Sequence, residues 1–191
     1  AAATLTSVPL DFIGNRDRIL ESIRVAKGKG ATVRTGPELG IPGYGALDHH
    51  LEGDTFSHSW EVLAHIISNE VYKDMLIDLG IGCRHFTTWA KPLQTKTYYL
   101  EEVVEKVTGQ RTVPIGDAIL STRDKSIGCE TCEEMFVPQN TSTTLCLNGC
   151  EIILNSSTSH AELRKLRRWF DYIANSTRKQ ADYICTAIFP E

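Results

Sequence analysis

Runs of β-branched and aliphatic residues alternate along this chain with stretches whose apolar residues recur at helical spacing, and that alternation limits the fold more than any other feature. Residues 31–35, 75–81, 113–120, 125–130, 151–154 and 183–189 read as strands. A first helix is predicted over 15–27, capped by Asn15, with Ile19, Ile23 and Ala26 on one face and Gly30 as its stop. A second, capped by Asp54 or Thr55, buries Trp60, Leu63, Ala64 and Ile67. A third starts near Ser159, with Leu163, Leu166, Phe170 and Ile173 at helical spacing. Residues 82–112 lack clear periodicity apart from a weak helix over 100–107. Strands that alternate with helices in this way pack as a layered α/β domain.

The 191 residues, 41% of them hydrophobic, suffice for one substantial core, and no linker-like segment divides them, so residues 1–191 are read as one domain. A formal net charge of -4 with scattered Lys and Arg gives no electrostatic footprint for nucleic acid or for an anionic membrane surface. The cationic run Arg164-Lys165-Leu166-Arg167-Arg168 reads as a solvated helix face. No stretch reaches the length of a membrane span, and the first ten residues lack the basic and apolar regions of an export signal. Six cysteines (Cys83, Cys129, Cys132, Cys146, Cys150, Cys185) in an otherwise ordinary composition fit a reducing compartment, and the cytoplasm is the expected location.

Two positions carry reactive groups just after strand-like runs. Glu38 follows Pro37 in a Gly/Pro-rich turn, which holds its backbone extended at the strand's C-terminal edge. Cys132 ends the run Ile127-Gly128-Cys129-Glu130-Thr131 and precedes Glu133, whose backbone N–H is placed to meet a developing oxyanion. A carboxylate beside a thiol is the equipment of amide hydrolysis. Plain alternatives stand beside these readings, an exposed loop acid for Glu38 and a buried structural cysteine for Cys132. A third alternative is structural zinc, because Cys129-x2-Cys132 and Cys146-x3-Cys150 form two close pairs. A redox role for Cys129 and Cys132 is weaker, since no helix start is evident there to lower a thiol pKa. The adjacent His49 and His50 show no metal-binding spacing and read as structural or solvent-facing.

Taken in order, several motifs resemble the glutaminase part of eukaryotic glutamine-dependent NAD synthetases, members of the nitrilase (carbon-nitrogen hydrolase) superfamily. They are Leu10-Asp11-Phe12-Ile13-Gly14-Asn15, Arg34-Thr35-Gly36-Pro37-Glu38-Leu39 with Ile41-Pro42-Gly43-Tyr44-Gly45, Val107-Thr108-Gly109-Gln110-Arg111, the cysteine segment, and Asn155-Ser156-Ser157-x-Ser159-His160 with Leu163-Arg164-Lys165. The resemblance implies a nitrilase-like α-β-β-α sandwich, here partial. It implies Glu38 as general base and Cys132 as the nucleophile that attacks the side-chain amide of glutamine, releasing ammonia for NAD synthesis through a thioester. It also implies that Tyr44 lines the pocket, that Ser159 and Arg164 hold the amino-acid end of the substrate, and that the glutaminase step needs no cofactor. ATP and the NAD precursor belong to the synthetase domain, which has no counterpart here. Partners follow in kind: the synthetase domain, or further nitrilase-like subunits in a homo-oligomer.

The sequence departs from that family in three respects. Between Gly80-Ile81-Gly82 and Arg84-His85-Phe86 the family carries a block of several dozen residues, with the catalytic lysine in an Arg-Pro-Lys context, and this chain lacks the block. No lysine stands in a matching motif, and Lys91, in Ala90-Lys91-Pro92, corresponds to another family segment. After about Lys179 the resemblance fades. An enclosed site without that positive charge is expected to lose on the order of several kcal/mol of transition-state stabilisation.

Overall fold

The computed structural model describes residues 1–82, 91, 93–159, 163–179 and 183–187, with residue 179 and residues 183–187 described by backbone alone. Helix α1 (Phe12–Gly28) begins three residues before the predicted cap, because Asp11 is the residue whose side chain accepts from the Gly14 N–H. Asn15 lies inside the helix, fully buried, and its amide bonds the Val8 backbone and the Ile41 carbonyl instead. A side chain that reads locally as a cap is therefore a tertiary tie between the N-terminal segment, α1 and the loop that carries Glu38.

Strand β1 (Val33–Arg34) pairs in parallel with β2 (Leu76–Ile77), each shorter than the sequence pattern suggests. Helix α2 (Gly53–Ser68) starts after Glu52 with no side-chain cap, so neither Asp54 nor Thr55 plays that part. It buries Val62, Ala64 and Ile66 rather than the predicted Leu63 and Ile67. Val62 and Ile66 join Ile19, Leu20, Ile23 and Ile41 in one apolar cluster that covers the β1–β2 side.

Strands β3 (Thr95–Tyr99) and β4 (Thr112–Gly116) form an antiparallel pair joined through α3 (Glu102–Thr108). Strand β3 escapes sequence patterning because both of its faces are largely exposed, which removes the alternation that marks a half-buried strand. Tyr98 stacks on Trp60 at 5.9 Å and fixes the pair against α2. The predicted strand 113–120 is split between β4 and β5 (Leu120–Ser121).

A four-stranded sheet follows, ordered β5, β6 (Ser126–Thr131), β7 (Ile152–Ser156) and β8 (Tyr183–Ala187), and β6, β7 and β8 run in parallel. Residues 188 and 189 of the last predicted strand lie outside the described residues. Helix α4 (Thr141–Leu147), which the sequence pattern does not show, is capped by Asn140 and packs on this sheet through Leu145, Cys150 and Ile153. Gly128 permits the approach, since a Cβ there would stand 2.8 Å from a Leu145 methyl and 3.0 Å from the Cys150 sulfur. Helix α5 (Lys165–Lys179) starts well after Ser159, and the left-handed backbone of Arg164 (φ 70) keeps the helix from extending back through it. Its Leu163-Leu166-Phe170 series is exposed, while Trp169 is buried. No helix among the described residues is long and apolar enough to cross a membrane.

The two halves of the fold meet on buried polar side chains. Thr35 Oγ1 donates to Asp78 Oδ2 at 2.6 Å, Ser156 Oγ donates to the same oxygen, and the two hydroxyls lie 3.3 Å apart. Arg34, wholly buried, donates to the Asp78 carbonyl at 3.1 Å and to Ser22 Oγ at 2.8 Å. Burial lowers its pKa to about 10, and the Asp78 charge opposes that fall. Replacing Asp78 with Ala strips a buried guanidinium of its counter-charge and two buried hydroxyls of their acceptor. The expected cost is about 3 kcal/mol or more, read as a lower urea midpoint at unchanged m-value. A variant as stable as the parent would contradict this account of the interior.

Candidate active site

The parallel register of β6 on β7 ends with Thr131 opposite Ser156, so the next residue of each strand, Cys132 and Ser157, emerge side by side at the C-terminal edge. Ser157 Oγ lies 3.5 Å from the Cys132 sulfur as a donor. Strand β1 reaches the same edge, because Thr35 touches Ser156, and Glu38 follows three residues later. The turn that holds Glu38 is anchored by buried Leu39 and Ile41 and by the Ile41 N–H, which donates to the Gly80 carbonyl at 3.1 Å. Backbone packs on backbone there: a Cβ on Gly80 would fall 2.0 Å from the Glu38 carbonyl oxygen.

Cys132 takes a left-handed backbone (φ 44) between β6 and a short 3₁₀ segment, Cys132–Phe136. A helical turn therefore does start at the cysteine, where the sequence pattern shows none. Thr131 and Glu134 close a capping box around it, with the Thr131 N–H donating to Glu134 Oε2 at 2.6 Å. Held in this way, the side chain of Cys132 is directed out of the sheet edge.

Glu38 is 5% exposed, which rules out the loop-acid alternative, and its carboxyl faces the Cys132 thiol closely enough for each to shift the other's proton affinity. Burial raises the Glu38 pKa, while the thiol and the Thr158 N–H, both donating to the carboxylate, hold it down. Its Oε2 has no hydrogen-bond partner among the described residues. Burial pushes the Cys132 thiol up to about 11, and the Glu38 carboxylate adds to that rise. The groups that favour the thiolate are neutral dipoles, the Ser157 hydroxyl and the Thr158 N–H.

A pocket of about 570 Å³ opens at Cys132 and takes its walls from Tyr44, Glu133, Ser159, Arg164, Lys165 and Arg168, among others. Tyr44, Ser159 and Arg164 are thus gathered around the thiol from two distant parts of the chain. Sequence reasoning does not reach Ser157, Thr158, Lys165 or Arg168. The last two belong to the cationic run read as a solvated face, and Arg164, Arg167 and Arg168 are indeed exposed, with Arg168 over the Phe136 ring at 5.6 Å and the half-buried Lys165 over Trp169 at 5.4 Å. His50 is buried and His49 exposed, on a 3₁₀ segment (Tyr44–Leu51).

The zinc alternative fails. Among the described residues no group of three or more His, Cys, Asp or Glu is placed to hold a metal, and all four cysteines of the two pairs are described. Cys150 donates to the carbonyls of Ile152 at 3.2 Å and Ser126 at 3.7 Å, a protonated thiol rather than a ligand. Cys129 is exposed on the sheet, and desolvation and the Asp78 charge push its thiol up to about 12.

Residues 1–85 and 83–188 match the model of the carbon-nitrogen hydrolase family. The glutamine-dependent NAD(+) synthetase of Saccharomyces cerevisiae is 42% identical over 215 positions and that of Homo sapiens 37% identical, each alignment taking in 94% of this chain. The chain spans only 30% of the length of these relatives. Since 94% of 191 residues is about 180, roughly 35 of the 215 positions of the yeast relative face no residue here, and the two pieces of the family match meet at residues 83–85. Among solved structures, a glutamine-dependent NAD(+) synthetase from Cytophaga hutchinsonii superimposes with a TM-score of 0.75 at 22% identity, over 98% of this chain and 35% of that one. An amidase from Nesterenkonia sp. does so with a TM-score of 0.65 at 14% identity, over 98% and 74%. Both likenesses are of fold. From residue 1 to residue 188 the sequence follows the family model, and the chain belongs to the carbon-nitrogen hydrolases.

Proposed function

We propose that this chain carries the acid and thiol of a glutamine-hydrolysing site, the ammonia-releasing part of a glutamine-dependent NAD synthetase. One observation carries the reading: a buried carboxyl meets a thiol that opens onto a pocket whose rim holds Tyr44, Ser159 and Arg164. The relatives named for this activity support the choice of amide. Glu38 takes the Cys132 proton as sulfur attacks the side-chain amide carbon, and the Glu133 N–H faces the oxygen that gains charge. The C–N bond breaks as Glu38 returns the proton to the leaving ammonia, and a thioester remains. Water attacks the thioester with Glu38 again as base, releasing glutamate and the free thiol. Arg164 suits the far end of the substrate, because a guanidinium pairs bidentately with a carboxylate. No cofactor enters this sequence of steps. ATP and the NAD precursor belong to the synthetase portion of the relatives, which is the proposed partner of this chain, and the cytoplasm is its proposed location.

A second reading is favoured by the alignment gap at residues 83–85: a folded module whose catalysis is impaired. With the thiol at about 11, only about one molecule in a thousand is a thiolate at pH 8, so attack depends on Glu38 acting in concert. Ammonia release from glutamine separates the readings. A rate above that of Cys132→Ala, together with mass-spectrometric labelling of Cys132 by a glutamine-like electrophile, supports hydrolysis. A rate equal to that variant, or labelling elsewhere, supports the impaired module.

The electrostatics yield a second test. The Glu38 carboxylate raises the Cys132 pKa, so Glu38→Gln moves the thiol downward and increases the thiolate fraction at any pH below its pKa. Iodoacetamide should then alkylate Cys132 about 3–10-fold faster at pH 8, while ammonia release falls because the base is gone. An alkylation profile that stays put, or moves to higher pH, would contradict the placement of the two groups.

A further inference from the structure

Asn155 is wholly buried at the penultimate position of β7, and its side chain is held by the backbone and carboxyl of the neighbouring strand. Its Nδ2 donates to Glu130 Oε1 at 3.2 Å and to the Cys132 carbonyl at 3.3 Å. Both neighbours are acceptors, so the amide cannot be turned over without setting its oxygen against two others. Glu130 is itself 3% exposed and is fixed on its other oxygen by the Ser142 N–H at 3.2 Å, at the start of α4. Asn155 Oδ1 meanwhile has no partner among the described residues. A buried amide with its acceptor unmet costs about 1–3 kcal/mol, so packing alone gives this residue no reason to be Asn.

The direction of the Cys132 carbonyl supplies one. The peptide bond is planar and trans, so the Glu133 N–H points opposite to the Cys132 C=O. Anchoring the carbonyl inward on Asn155 turns that N–H outward to the side of the pocket that Cys132 and Glu133 share. At the first turn of a helical segment such an N–H has no intrahelical partner to satisfy.

We propose that Asn155, held in place by Glu130, is a positioning residue that aims the Glu133 N–H at the oxyanion formed on attack by Cys132. The inference rests on Cys132 being the nucleophile, and it adds the part that sets the geometry of charge stabilisation. Neither residue touches the substrate. Both act through one peptide plane.

Two reactions of the same sulfur separate positioning from mere structure. Acylation by p-nitrophenyl acetate joins sulfur to the acetyl carbon, passes through an oxyanion and expels p-nitrophenolate, with the thiol proton going to Glu38. Alkylation by iodoacetamide displaces iodide from carbon and forms no oxyanion. In Asn155→Ala, acylation at the Cys132 peptide, followed by mass spectrometry, should slow at least about 10-fold, with alkylation at the same pH unchanged within about twofold. Glu130→Ala, which releases the Asn155 amide without touching it, should show the same split and serves if the first variant does not fold. Both reactions slowed together, or acylation unchanged, overturns the proposal. A parent chain whose Cys132 is not acylated at all overturns the nucleophile reading, and this inference with it.

Discussion

Asp78 joins the two halves of this molecule, and the geometry of the site depends on that junction. Its carboxylate accepts from Thr35, just after β1, and from Ser156, at the end of β7. Each of those residues lies just before a functional segment: Glu38 comes three residues after Thr35, and Ser157 and Thr158 follow Ser156 directly. The wholly buried Arg34 offsets the charge of Asp78. Two strand pairs far apart in sequence are thereby brought into register by one oxygen atom, and the acid and the thiol meet as a result. Gly80 closes the arrangement by laying its backbone against Glu38, close to residues 83–85, where the two pieces of the family match meet.

The electrostatics of the pair then follow from what surrounds it. Burial disfavours charge on both groups, so the proton stays on sulfur and the carboxyl is held short of full acidity by its surroundings. A hydroxyl and an amide N–H attend the sulfur in place of a cation. Such dipoles stabilise an anion without adding net charge, yet they do so less strongly than an ammonium would in an enclosed site. Among the described residues those two dipoles are what lowers the proton affinity of the sulfur, and the cations Arg164, Lys165 and Arg168 stand on the wall of the pocket.

Glu38 and Cys132 are legible in the sequence because each follows a strand-like run directly, and the C-terminal ends of parallel strands are where an α/β sheet presents reactive groups. Tyr44, Ser159 and Arg164 are legible only through resemblance, and all three surround the pocket. Ser157, Thr158 and Asn155 are not, because what they do is fixed by the pairing of Thr131 with Ser156, a contact between positions 25 residues apart with no local pattern. Local chemistry also misleads at Asn15, a good cap by residue type whose hydrogen bonds go to Val8 and Ile41. Helix α4 is hidden by its brevity and its Thr-rich first turn, since β-branched residues favour strands in isolation. The cationic run is legible as a solvated face, whereas the placement of Arg168 over Phe136 depends on a contact that helical periodicity does not show.

The claim at the centre is that a competent acid and thiol are already assembled and wait on a cation. Inserting between Gly82 and Cys83 the roughly 35 residues of the yeast relative that face no residue here, a segment in which the family resemblance places a lysine, tests it most directly. Ammonia release from glutamine should rise about 100-fold or more, and fall back when the restored lysine is replaced by Ala. A folded insertion variant that releases ammonia no faster than the present chain would contradict it.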